Sequence, residues 1–196
     1  MHSTWLNRIP LFVALSLSAI AAACTSVGAP TGQTGTSSAT AVGNVCPTAT
    51  AETRLLVNKD HGYCLLYPSA YTVEHYSPTG TAVVMGSIMN HTDPRVSVET
   101  APSEGRTTQQ AGDALYAQVG SPGIEVKRSG VRIGGQEAVL LDNVPYQDLT
   151  REIILAHNDK IYRLQFTPAD PADAGVYGRT QQLYDTVVGS FHFTQE

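Results

Sequence analysis

REIILAHNDKIYRLQFT, residues Arg151–Thr167, reads as two strands joined by the two-residue turn Asn158-Asp159. Asn and Asp tolerate the left-handed backbone that so tight a hairpin needs. A two-residue turn also sets the register. Leu155 then lies opposite Tyr162 and Ile153 opposite Leu164, with Phe166 continuing that side. The other side pairs Glu152 with Gln165 and Ile154 with Arg163. One face is continuously apolar and the other mixed, the pattern of an antiparallel sheet with one face on a core.

A second hairpin follows the same logic. Gly134-Gly135 separates Glu125–Ile133 from Gln136–Asn143 and sets Arg132 opposite Glu137. Shorter apolar or alternating runs predict strands at Thr53–Val57, Tyr63–Tyr67, Tyr71–Tyr76, Ala82–Met89 and Val96–Thr100, with a terminal edge strand over Phe191–Thr194. Asn58–Gly62 and Ser77–Gly80 are turns; Asn90–Arg95 and Asn143–Leu149 are loops. A helix is expected over Thr107–Val119, capped by Thr107 or Thr108, with Ala111, Ala114, Leu115, Gln118 and Val119 on one stripe. A second is expected from Ala172 to Val188, with Asp170 and Asp173 near its positive end and Gly189 as its stop. Its stripe of Val176, Thr180, Leu183, Tyr184, Val187 and Val188 suits the apolar face of the 151–167 hairpin. About eight strands linked mostly by tight turns, with two helices among them, predict an α+β antiparallel sheet with helices packed on it.

The amino terminus carries a different message. Met1–Arg8 holds one positive charge, Ile9–Ile20 is apolar, and Ala21-Ala22-Ala23 precedes Cys24. This is the layout of an export signal, too short in its apolar part to span a bilayer. Small residues followed directly by Cys resemble the lipobox of bacterial lipoproteins, where that Cys is acylated with lipid such as palmitate and becomes the new terminus. Ala21 stands where that pattern most often has Leu. The alternative is ordinary signal-peptidase cleavage after Ala-x-Ala and plain secretion. The chain has three Cys. If Cys24 takes lipid, Cys46 and Cys64 remain as a pair in an oxidising compartment, either as a disulfide or as two free thiols. A disulfide there would add roughly 3 kcal/mol by constraining the unfolded chain.

Thr25–Val45 has no charge and is nearly all Gly, Ser, Thr, Ala, Pro and Val. Such a segment buries too little apolar surface to order itself, and as a tether it reaches about 25 Å. The expected organisation is therefore a signal peptide at 1–23, a lipidated Cys and flexible linker at 24–45, and one folded domain at 46–196.

Composition excludes some functions and leaves chemistry open. Charged residues make up 15 % and the net charge is −5, with no Lys/Arg cluster, which argues against nucleic acid. No GxSxG elbow, HExxH helix, P-loop or dinucleotide glycine fingerprint occurs. The histidines are scattered, and no Cys or His pair stands at metal-ligand spacing, so no metal or cofactor is expected. His91 and Asp93, two apart in a polar loop, are the nearest approach to a cation site; a solvated turn is the alternative. Tyrosine is the unusual residue, nine Tyr against four Phe. Tyr63, Tyr67, Tyr71 and Tyr76 are candidates for a ligand or partner surface, or else they border the core.

Four stretches carry a family likeness: GYCLLYPSAY at Gly62–Tyr71, GGQEAVLLD at Gly134–Asp142, the 151–167 hairpin, and VVGSFHF at Val187–Phe193. In this order the segment Gly62–Phe193 resembles the PsbP-like (Mog/PsbP) family. That resemblance implies an α/β/α sandwich around an antiparallel sheet. Members include a lumenal subunit of photosystem II, a eukaryotic factor that binds a small GTPase, and many bacterial lipoproteins. Binding rather than catalysis is what they share. The basic docking tail of the photosynthetic member has no counterpart in Cys24–Val45, and no functional residue carries over. The expectation is a lipid-anchored extracytoplasmic lipoprotein on the cell membrane. It would be a non-enzymatic accessory module for an envelope protein complex, or alternatively a binder of a small ligand or cation.

Overall fold

The computed structural model describes residues 45–194. The signal segment, Cys24 and the linker up to residue 44 lie outside the described residues.

The 151–167 hairpin sits at the centre of the larger of two sheets. β8 (Leu149–His157) and β9 (Lys160–Thr167) pair in the predicted register, Leu155 on Tyr162, Ile153 on Leu164, Ile154 on Arg163 and Glu152 on Gln165. Asn158 and Asp159 hold φ of 46° and 57°, as the two-residue turn requires. Beyond β9 come β5 (Arg95–Pro102), β4 (Gly80–Val84) and β3 (Thr72–Ser77); beyond β8 come β7 (Gln136–Pro145) and β6 (Lys127–Ile133). The sheet order is β3-β4-β5-β9-β8-β7-β6 and each neighbouring pair is antiparallel. A smaller sheet, β1-β2-β10, joins β1 (Thr53–Asn58), β2 (Tyr63–Pro68) and β10 (His192–Phe193).

Two helices complete an α+β architecture, α1 (Thr108–Val119) and α2 (Ala174–Ser190). The alternation of side chains along the strands divides the apolar residues between two cores. Ile153, Leu155, Tyr162, Leu164 and Phe166 join Leu183 and Val187 of α2 and Leu56, Tyr63 and Leu65 of the small sheet. Thus α2 covers the apolar face of the hairpin. The intervening residues Val139, Leu141 and Ile154 point into a smaller core with Ala111 and Val119 of α1. Gly112 makes this close approach possible, because a Cβ there would meet the Val139 side chain at 2.7 Å.

Cys46 and Cys64 form a disulfide, with Cα atoms 5.8 Å apart, that fastens the start of the domain to β2. The Arg132–Glu137 pair lies across the β6–β7 hairpin at 2.6 Å. Thr107 caps α1 in a capping box with Gln110.

Several boundaries differ from expectation, each for a local reason. The strand predicted over Ala82–Met89 ends at Val84, because Gly86 takes φ of 91° and breaks the ladder. β7 continues past Asn143 through a bulge, φ 60° at Asn143, so the expected loop shrinks to Tyr146–Asp148. Gly189 does not stop α2. The helix runs on to Ser190, whose hydroxyl donates to Thr186 O at 2.6 Å and accepts from Leu66 N at 2.8 Å. On α1, Ala114 and Gln118 are exposed rather than part of the buried stripe, since the helix turns Ala111 and Gly112 to the sheet.

Candidate ligand cleft at the β7–β8 turn

The mixed face of the hairpin is where the polar chemistry gathers. Glu152 is fully buried, although it lies on the side opposite the main core. Its carboxylate accepts from Arg163 Nε at 2.6 Å and Nη2 at 2.8 Å, and from Gln165 Nε2 at 3.0 Å. A two-pronged guanidinium and an amide satisfy a carboxylate that burial would otherwise make costly. β9 delivers both donors because Arg163 and Gln165 are two apart and share a face.

Arg163 then reaches one residue further. Its Nη2 donates to the Tyr146 hydroxyl at 2.6 Å, and its guanidinium carbon lies 5.8 Å from that ring's centroid. Burial, followed by the nearby Glu152 charge, pushes the Tyr146 phenol up to about 12, so it stays protonated at any physiological pH. Yet Tyr146 remains 46 % exposed. It is an aromatic side chain held in place from below and open to solvent above.

The turn residues Tyr146, Gln147 and Asp148 form a shared wall between two depressions. The larger, about 430 Å³, has aliphatic surface from Ile124 and Val176 and polar groups from His91, Asp148, Asp170 and Asp173. The smaller, about 230 Å³, lies over the sheet with Arg95, Ser97 and Gln165 in its lining. The larger is in the size range of small-molecule sites. Two of its carboxylates also have structural work: Asp170 accepts from Ala172 N at 2.9 Å, and Asp173 caps α2 by accepting from Val176 N at 3.2 Å. The arrangement can hold a polar or peptide-like group against Tyr146.

Apart from His91, the residues singled out in the sequence fall elsewhere. Tyr63, Tyr67 and Tyr71 are 1 %, 8 % and 4 % exposed and belong to the core, in keeping with the alternative reading of these residues. Tyr63 stacks on Phe191 with centroids 5.4 Å apart, and its hydroxyl accepts from Asn58 Nδ2 at 3.2 Å. β2 is the central strand of its sheet and is buried on both faces, so alternation could not sort its tyrosines. Tyr76 alone of the four is exposed, and its hydroxyl donates to Glu99 at 2.9 Å. Burial and the Glu99 charge raise its pKa. Asp93 accepts from Asn90 Nδ2 and closes its own loop, while His91 lines the cleft. Among the described residues no three His, Cys, Asp or Glu side chains form a metal-holding group. Tyr146 was hidden in the sequence inside an expected loop; its one signal was a tyrosine between Pro145 and Gln147 in a tight connection.

No family model matches the chain, and no curated protein matches it. Solved structures do. The chain is similar to the solution structure of cyanobacterial PsbP (CyanoP) from Synechocystis sp. PCC 6803. Identity is 18 % over 78 % of this chain and 98 % of that one, with a TM-score of 0.48. It is also similar to a crystal structure from Bacteroides thetaiotaomicron, at 9 % identity over 74 % of this chain and 50 % of that one, with a TM-score of 0.50. At these identities the likeness is one of fold. Among the described residues no helix is long and apolar enough to cross a membrane.

Proposed function

We propose that this chain is an extracytoplasmic lipoprotein, anchored through lipid on Cys24, whose PsbP-like domain is a non-enzymatic binding module for an envelope protein complex. The observation that carries the anchored reading is the Cys46–Cys64 disulfide. It suits an oxidising compartment and leaves Cys24, directly after Ala21-Ala22-Ala23, as the remaining cysteine of the chain. The four sequence motifs support the family reading. The α/β/α sandwich description is supported by α1 packing in one core and α2 with the small sheet in the other.

The cleft at Tyr146 is the site of binding in this reading. Its fixed aromatic ring is the type of side chain that anchors interfaces. The charges beneath it are saturated by one another, which favours recognition over proton transfer. Affinity capture of the lipidated protein from membranes tests this. A partner should co-purify with the wild type and fall about tenfold with Tyr146→Ala. Absence of any partner above background, or a yield indifferent to Tyr146, counts against it. The second reading, a small-ligand or cation binder, is favoured by the 430 Å³ cleft with its aspartates.

A further inference from the structure

We propose that the outer face of the small sheet lies against the membrane surface, so that lipid covers the exposed side chains of β1; this rests on the lipid-anchor reading above. The register defines that face. Leu55 pairs with Leu66, Val57 pairs with Cys64, and His192 pairs with Cys64 on the far side. Paired residues share a side, so these five lie together. The intervening residues Leu56, Leu65 and Phe193 point the other way, into the core. In a chain of net charge −5, no acidic residue occupies the outward positions of these strands. Leu55 and Val57 are 38 % and 41 % exposed on an edge strand.

What selects lipid as the occupant is the path of the chain. The anchored segment reaches the domain at Val45, itself 75 % exposed. The next residue, Cys46, is bonded to Cys64, the register partner of Val57. The disulfide therefore fixes the tether's attachment point beside Val57, on the same strand pair as Leu55. A tether constrains the surface at its point of attachment most, because that surface has the highest effective concentration near the anchor. The exposed aliphatic side chains of Leu55 and Val57 at that point are suited to the headgroup boundary.

The single Trp of the sequence, Trp5, lies in the signal segment, which makes the mature chain a blank for a fluorescent probe. The test uses Leu55→Trp and Val57→Trp, with Tyr116→Trp on the exposed side of α1 as the reference. Each is expressed as the lipidated full chain and reconstituted into phosphatidylethanolamine–phosphatidylglycerol vesicles containing brominated acyl chains. Trp at 55 and at 57 should be quenched about twofold or more over Trp at 116, and the difference should vanish with Cys24→Ser. Equal quenching at the three positions, in protein that floats with the vesicles, overturns the orientation and leaves the anchor standing. Failure of the wild-type chain to float overturns both.

Discussion

Arg163 connects the core to the candidate cleft. It spends two nitrogens on a buried carboxylate and shares one of them with the Tyr146 hydroxyl. The two partners are not equivalent. Glu152 has no solvent contact, whereas the Arg163 side chain is 29 % exposed. Removing Arg163 strands a buried charge; removing Glu152 leaves a cation that can turn to water. Arg163→Ala should therefore cost roughly 3 kcal/mol or more in urea unfolding, and Glu152→Gln clearly less. The pair Glu152→Leu with Arg163→Met should recover most of the loss. Equal costs for the two single changes would mean the charge is not confined as the structure has it. The polar face of the hairpin was legible as a pattern, Glu152 by Gln165 and Ile154 by Arg163. Its burial was not, because alternation reports which side a residue faces and not what later covers that side.

The elements were read best where turn chemistry leaves no choice. Asn158-Asp159 and Gly134-Gly135 each admit one register, and both hairpins have it. Reading was poorer where a backbone feature interrupts a uniform apolar run, as at Gly86 and Asn143. α1 illustrates a third case. Gly112 sits in a helix interior, where glycine is ordinarily destabilising by about 1 kcal/mol relative to alanine. Here it is buried against Val139 with no space for a methyl group. Gly112→Ala should thus destabilise by about 1–2 kcal/mol despite its better helix propensity. Val139→Ala in the same chain should relieve part of that cost, a coupling that a double-mutant cycle measures. Stabilisation by Gly112→Ala alone would show that α1 stands further from β7 than described.

At the scale of the molecule, the proposed reading is a tethered domain whose parts rest on different observations. The Cys46–Cys64 pairing was readable from cysteine arithmetic, which needs no fold, while export and tether are proposed from the amino-terminal sequence. The sheet follows from hairpins. The cleft does not, since it depends on four segments distant in sequence, 91–92, 124, 145–149 and 168–176, meeting at one end of the sheet. The tyrosines show the same limit: composition marked them as unusual, and only packing could separate Tyr63 in the core from Tyr146 at the surface. Both the proposed membrane setting and the proposed orientation of the small sheet depend on attachment through Cys24. The direct measurement is the partition of the full chain between membrane and soluble fractions, with and without Cys24→Ser. The wild type should sediment with membranes and enter detergent, and the variant should be released to the soluble fraction. Unchanged membrane retention of Cys24→Ser would contradict the lipid anchor.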